Sequence, residues 1–424
     1  MLTQPAKRGK ERNLFNPLSG KGYSYLKMPV TEDLTRRISS ARAAVFDVLQ
    51  AVEEGAYASD ALRERSRALT PRDVGLASQI AFGTLRYQAQ LDYLIALYSG
   101  RAPAQLDRAV LLALRSAIFQ LRYLERVPPH AAVHEAVEFV KIRKRAAAGL
   151  TNAVLRKVTR DPVRWPGRAA ELSCPPWLLH RWDSHFGPEE AKAIARHALI
   201  EPQAYIRVPS SQEPPAGTDL APTDVPGCFR VLSPIASNQR LHDISSQAVL
   251  PLLDLRAGQT YLDLCAAPGN KTLQALERAP RLAIACDISA RRIAAIPPVC
   301  PRVVLDATAP LPFGQKFDRI FIDAPCSGTG TLSRNPEIKW RLTEPDLLRF
   351  QSKQIAILRQ ALPNLAPEGK LLYATCSLER EENEAVIENA LAENQDLVCR
   401  TQWRRVPGRD EGDGFFAALL QFRE

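Results

Sequence analysis

Residues 261–272 read YLDLCAAPGNKT: a short apolar run, a turn of small residues, then the opening of a helix. Such a turn lets backbone N–H groups at a helix start approach a ligand closely. The competing pattern is the phosphate-binding loop G-x-x-x-x-G-K-[ST]. Cys265 and Asn270 occupy both of its glycine positions here, so a P-loop NTPase is excluded. No G-x-G-x-x-G fingerprint occurs either, which argues against a nicotinamide enzyme. A nucleoside ligand without a polyphosphate fits this turn better.

Outward from that turn, short apolar runs alternate with helical patterns, the signature of a parallel α/β sheet. The strands read from the sequence are Tyr261–Leu264, Arg281–Cys286, Arg302–Leu305, Phe317–Asp323 and Lys370–Thr375. In such sheets ligands bind at the carboxyl ends of the strands, so residues there should converge. Asp287 closes the second strand and either accepts both hydroxyls of a ribose or caps a helix. Asp306 ends the third and is placed to reach an adenine amino group. The fourth runs into DAPCSGTG (323–330), a carboxylate, a rigid proline and a thiol. Arg334, Lys339, Trp340 and Arg341 downstream are candidates to grip a nucleic-acid backbone or stack a base. The fifth ends in LLYATCSLE (371–379), with Cys376 between two hydroxyl residues and an acidic EREENE beyond. A free cysteine is more often a small buried hydrophobe than a reagent. A long helix is expected after Thr343, with Leu348, Ile355 and Leu362 on one face. The late GFFAALLQFRE is β-compatible and is expected to close a sheet edge.

The chain has 424 residues, 46% hydrophobic and 24% charged, enough for two or three domains. We read residues 1–33 as a basic flexible tail, 34–162 as an all-α bundle, 163–235 as a small α/β connector and 236–424 as the α/β domain. The bundle rests on runs such as ARAAVFDVLQAVEEG (41–55) and HAAVHEAVEFVKIR (130–143), apolar at three- and four-residue steps. His130 and His134 lie four apart but lack a third ligand, so they read as helix surface. The connector is marked by the Pro- and Gly-rich EPPAGTDLAPTDVPG (213–227). Net charge is +10, with Arg far in excess of Lys, which suits phosphate contacts. No apolar run approaches the ~18 residues that span a bilayer. The eight cysteines form no C-x-x-C pair, so neither disulfides nor a metal site is expected. With no signal-peptide pattern at the N-terminus, a cytoplasmic monomer, without metal or membrane partners, is the expectation.

Together LCAAPGNKT, Asp287, Asp306, DAPCSGTG, NPEIKW, YATCSLEREEN and the late GDGFF (412–416) resemble the Sun-type, RsmB-like RNA cytosine-5 methyltransferases. The helical region, best in residues 133–158, resembles the NusB-like RNA-binding domain of the family's bacterial 16S rRNA branch. The resemblance implies a Rossmann-like methyltransferase domain, S-adenosylmethionine as cofactor and RNA, rRNA above all, as partner. It places Cys265, Ala266, Ala267, Pro268, Gly269, Asn270, Lys271, Asp287, Asp306 and Asp323 at the cofactor. Two departures stand out. Asn270 replaces the family's usual second glycine; Asn tolerates left-handed backbone best after Gly, so the turn is expected to hold. The family's RLG stretch is missing between Asp287 and Asp306, so the intervening helix is expected to be short.

Cytosine C5 is a poor nucleophile toward a methyl sulfonium until a thiolate adds at C6. The residues alone leave open which thiol attacks, since a prolyl-cysteine such as Cys326 is what DNA cytosine methyltransferases use. The resemblance makes Cys376 the nucleophile and has Cys326 assist proton removal and release. It has Asp323 hydrogen-bond the base or hold the cofactor. A tRNA methyltransferase would share this chemistry, and an RNA-binding protein with a relic catalytic domain is the non-enzymatic alternative.

Overall fold

A computed structural model of the protein describes residues 37–233 and 239–423. The tail read over 1–33 lies outside the described residues. Seven longer helices come first: α1 (Ser40–Glu53), α2 (Ala58–Ser66), α3 (Pro71–Arg86), α4 (Gln88–Ser99), α5 (Arg108–Tyr123), α6 (Pro129–Lys144) and α7 (Ala148–Arg156). Their starts follow local chemistry. Thr70 accepts a hydrogen bond from Asp73 N at 3.2 Å while Pro71 fills the first turn, a cap of about 1 kcal/mol. One apolar cluster joins these helices, with Phe46 of α1 stacked on Phe139 of α6. His130 and His134 lie exposed on α6.

Three helices follow, α8 (Arg168–Glu171), α9 (Pro176–Phe186) and α10 (Pro188–His197), then a small antiparallel sheet. Its strands β1 (Tyr205–Arg207), β2 (Leu220–Pro222) and β3 (Cys228–Val231) are ordered β1-β3-β2. Trp182 of α9 is fully buried among Leu332, Ile338, Leu378 and Val406, so these helices share a core with the C-terminal region.

That region opens with α11 (Ile244–Val249) and carries a seven-stranded sheet. Its strands are β4 (Thr260–Asp263), β5 (Leu282–Asp287), β6 (Arg302–Val304), β7 (Phe317–Asp323), β8 (Leu365–Thr375), β9 (Leu397–Arg405) and β10 (Phe415–Phe422). The order is β6-β5-β4-β7-β8-β10-β9, parallel from β6 through β8, with β10 antiparallel to both of its neighbours. Helices α12 (Asn270–Leu276), α13 (Ala290–Ile293), α14 (Ile338–Arg341), α15 (Glu344–Ala361) and α16 (Glu384–Glu393) connect and cover it. Leu262, Ile320, Ile322, Leu371 and Tyr373 are fully buried on these strands, each contributing about 1.5–3 kcal/mol. The chain steps from β4 outward to β6 and then returns to place β7 beside β4. That reversal opens a crevice at the strand ends.

Two expectations need correction. The GFF strand does not close an edge: β10 lies between β8 and β9, and the polar, Arg-rich β9, which hydrophobic patterning hid, takes the edge. On α15 Ile355 and Leu362 pack against the core as expected, but Leu348 is 58% exposed, and the buried seam runs beside them through Leu347, Gln354, Leu358 and Ala361. The Thr343–Asp346 capping box fixes where the helix begins.

Candidate active site

Three loops meet at the ends of β4, β7 and β8. After β4, Ala266 N is held by Cys286 O at 2.8 Å, and Gly269 adopts φ +101° as the cap of α12. A Cβ on Gly269 would also sit 2.8 Å from Ile296 Cγ1, so only glycine fits. Asn270 is therefore not the left-handed residue: it is the first residue of α12 and donates from Nδ2 to Leu241 O at 3.0 Å. The turn holds, as expected, but not through Asn270's tolerance of left-handed backbone, because Gly269 takes the whole turn. Burial pushes the Cys265 thiol up, leaving it uncharged.

Asp287 is buried at the end of β5, accepting from Ala267 N at 3.3 Å and Ser289 N at 2.9 Å and pairing with Arg292. Ser289, not Asp287, caps α13, whose single turn matches the expected shortness of this connection. Asp306 is exposed beyond β6, with Oδ1 accepting from Thr308 N and Oγ1, and these bonds lower its pKa. Lys271 reaches from α12 to Asp323 at the end of β7, 2.7 Å, with its ammonium 5.0 Å from the Phe415 ring centroid. This buried cation ties the β4 turn to the β7 end.

The register of β7 with β8 sets Asp323 opposite Ala374, and Ala324 N bonds Ala374 O at 2.8 Å. Cys326 and Cys376 follow within three residues, and their Sγ atoms lie 3.4 Å apart. The bond to Cys376 is the first cause that pushes the Cys326 thiol well above its ordinary value. Burial follows, then the charges of Cys376, Glu382 and Asp323. Cys326 thus keeps its proton. Gly330 locks the loops: its N–H donates to Cys376 O at 2.9 Å and its carbonyl accepts from Gly414 N at 2.8 Å.

Sequence reading missed the carboxylates behind these loops. Glu379 and Glu382, from an acidic run that resembles a solvated surface, are fully buried. Glu379 accepts from Trp182 Nε1 and Arg181 Nε, both at 3.0 Å. Burial pushes Glu382 up to about 7 despite hydroxyl donors from Ser327 and Ser377. The only forewarning was their position directly after a buried strand.

The basic stretch after β7 does not face a ligand. Lys339 Nζ bonds Arg86 O at 2.9 Å, Trp340 Nε1 bonds Leu85 O at 2.7 Å, and Arg341 bonds Gly55 O and Ala56 O. Arg334 bridges Asp413 and Asp243. These side chains were expected at RNA; instead Lys339, Trp340 and Arg341 join the C-terminal region to the helical one, satisfying carbonyls at the ends of α1 and α3, while Arg334 is tied down within the C-terminal region. A cavity of about 550 Å³ opens elsewhere, lined by residues such as Arg207, Asp254 and Glu277 and by none of the thiols or strand-end aspartates. Among the described residues no three His, Cys, Asp or Glu are grouped to hold a metal. No helix among them is long and apolar enough to cross a membrane.

The sheet order, the small-residue turn after β4 and the acidic strand ends define a Rossmann-like methyltransferase. The family described as 16S rRNA methyltransferase RsmB/F matches residues 250–421, and the NusB family matches 39–160. Ribosomal RNA small subunit methyltransferase B of Cronobacter sakazakii is 32% identical over 91% of this chain and 99% of its own length. That of Shigella flexneri is 33% identical over 88% and 96%. Among solved structures, PH0851 superposes with a TM-score of 0.76 at 23% identity, covering 90% of this chain and 98% of that one. NSun6 from Pyrococcus horikoshii, solved with the S-adenosylmethionine analogue SFG, gives 0.52 at 18% over 59% and 98%. The chain belongs to the RsmB/F family of rRNA methyltransferases and is a SAM-dependent RNA methyltransferase.

Proposed function

We propose that the protein methylates C5 of a cytosine in 16S rRNA through a covalent Cys376–C6 adduct. The observation that carries this reading is the thiol pair, 3.4 Å apart at the ends of neighbouring strands and beside the Lys271–Asp323 pair. The raised pKa of Cys326 makes it the poorer nucleophile of the two, which favours attack by Cys376. Addition of that thiolate to C6 shifts electrons onto C5. Once C5 has taken the methyl group, loss of its proton to a base re-forms the C5–C6 double bond and expels the Cys376 thiolate, and the Cys326 thiol, which holds its own proton, assists that release.

When bound, S-adenosylmethionine supplies the methyl group as a sulfonium. The residues fit such a ligand: a turn of small residues from Cys265 to Lys271, the buried Asp287 for the ribose hydroxyls and the exposed Asp306 for the adenine amino group. Asp323, fixed by Lys271 and 30% exposed, is set to hydrogen-bond the base or the cofactor. The NusB-like helices and Arg-rich surfaces hold the RNA through its phosphates. Bisulfite mapping of ribosomal and transfer RNA, with and without the gene, tests the target. Loss of one 16S 5-methylcytosine supports the reading; a lost tRNA mark, or none, refutes it.

A further inference from the structure

We propose that Glu382 is a positioning residue for methyl transfer, clamping the two thiol-bearing loops together from inside the protein. The inference rests on assigning the chemistry to Cys326 and Cys376. Each of these thiols is followed by a serine, and the pairs run in parallel: Cys326 Sγ to Cys376 Sγ is 3.4 Å, and Ser327 Oγ to Ser377 Oγ is 3.1 Å. Both serine hydroxyls donate to Glu382 Oε2, while Oε1 accepts from Ser327 N at 2.8 Å and Gln354 Nε2 at 3.1 Å. One carboxylate therefore takes four donors, three of them from the residues next to the thiols.

The remaining bonds leave little freedom. Ser377 Oγ also accepts from Glu379 N at 3.1 Å, and Leu378 N donates to Thr329 Oγ1 at 2.9 Å. Gln354 uses its amide to bond Pro325 O at 3.0 Å, just before Cys326, and Tyr373 OH bonds Glu382's own carbonyl at 2.6 Å. Glu382 is completely buried, so a change there must act through these loops rather than by meeting RNA. Its charge also faces Cys326 and opposes a thiolate on that sulfur. Glu382 thus does two things at once. It fixes the sulfur–sulfur spacing, and its charge opposes ionisation of Cys326.

The test uses the full-length protein, a 16S rRNA transcript and tritiated S-adenosylmethionine. Glu382→Gln keeps the shape and removes the charge. A misplacement of about 1 Å costs on the order of a hundredfold, so kcat should fall about that much while KM for both substrates changes little. The acid limb of the pH–rate profile should move to lower pH, because the charge opposing ionisation is gone. A merely structural role would leave that limb in place, and an unmoved limb or a wild-type kcat overturns the proposal. Ser327→Ala/Ser377→Ala keeps the carboxylate but cuts the hydroxyl links. It should lose kcat, and because those hydroxyls hold the carboxyl's pKa down, the limb should shift the same way as in Glu382→Gln; a wild-type kcat here overturns the proposal even if Glu382→Gln fails to fold. Single cysteine variants run alongside separate the two ideas: dispensable thiols refute the proposed function, whereas essential thiols with an indifferent Glu382 refute this inference alone.

Discussion

Cys326 Sγ stands 3.4 Å from Cys376 Sγ, although fifty positions separate the two residues in the chain. The contact follows from sheet order: β7 and β8 are parallel neighbours, and each thiol follows its strand's end by a few residues. Ionising one of two sulfurs this close makes ionising the other harder. The proposed function uses that asymmetry, with one sulfur as nucleophile and the other as proton holder.

Gly330 maintains that spacing. A Cβ there would lie 2.4 Å from Gly414 O and 2.8 Å from Cys376 O, backbone atoms that cannot swing aside. Gly330→Ala should cost about 1–3 kcal/mol in thermal unfolding, as overpacking does, and lower kcat more than it raises KM. A fully active, equally stable variant would show that these loops are not held as described.

The Lys271–Asp323 pair joins the β4 turn to the β7 end across the crevice. Lys271→Met leaves Asp323 without its cation. Because Asp323 is 30% exposed, the stability loss should be well under the ~3–5 kcal/mol of a fully buried pair. Calorimetric affinity for S-adenosylmethionine should fall about tenfold, near 1.4 kcal/mol.

Asp263 carries a pH-dependent load. Burial pushes its carboxyl up to about 7, against the Thr272 hydroxyl bond, and its Oδ1 has no hydrogen-bond partner. The folded protein thus holds a proton that the unfolded chain releases near the ordinary carboxylate value. This group's contribution to stability is complete below that value and is lost as pH rises toward 7. Asp263→Asn removes the dependence, so its Tm relative to the unmodified protein should climb between pH 5 and pH 8. A constant difference would contradict the assignment.

Trp340 and Arg341 serve the junction between the helical and C-terminal regions. Trp340→Phe removes one buried hydrogen bond and should cost about 0.5–1.5 kcal/mol. Limited proteolysis between the regions should accelerate, while the salt dependence of RNA affinity stays unchanged. A flattened salt dependence would place these residues at RNA after all.

Much of this was legible in the sequence because strand ends carry chemistry that strand interiors reject. Asp287, Asp323, Cys326 and Cys376 each break an apolar run, and the sheet brings those breaks to one edge. What stayed hidden depended on partners far along the chain. Lys339 and Trp340 look like an RNA grip until the end of α3 supplies the carbonyls that accept their hydrogen bonds. Glu379 and Glu382 look like a solvated run until Trp182 and Ser327 bury them. β9 is amphipathic in the wrong sense because it sits at an edge. Asn270 drew suspicion because single-residue reasoning could not show that Gly269 absorbs the left-handed turn.

The most direct test is denaturing electrophoresis of the protein after incubation with its rRNA substrate and S-adenosylmethionine. Cys326→Ala should accumulate an RNA-linked band, since the adduct forms but is not released, whereas Cys376→Ala should give none and transfer no methyl group. A band from Cys376→Ala, or methyl transfer without Cys376, would contradict attack by that sulfur.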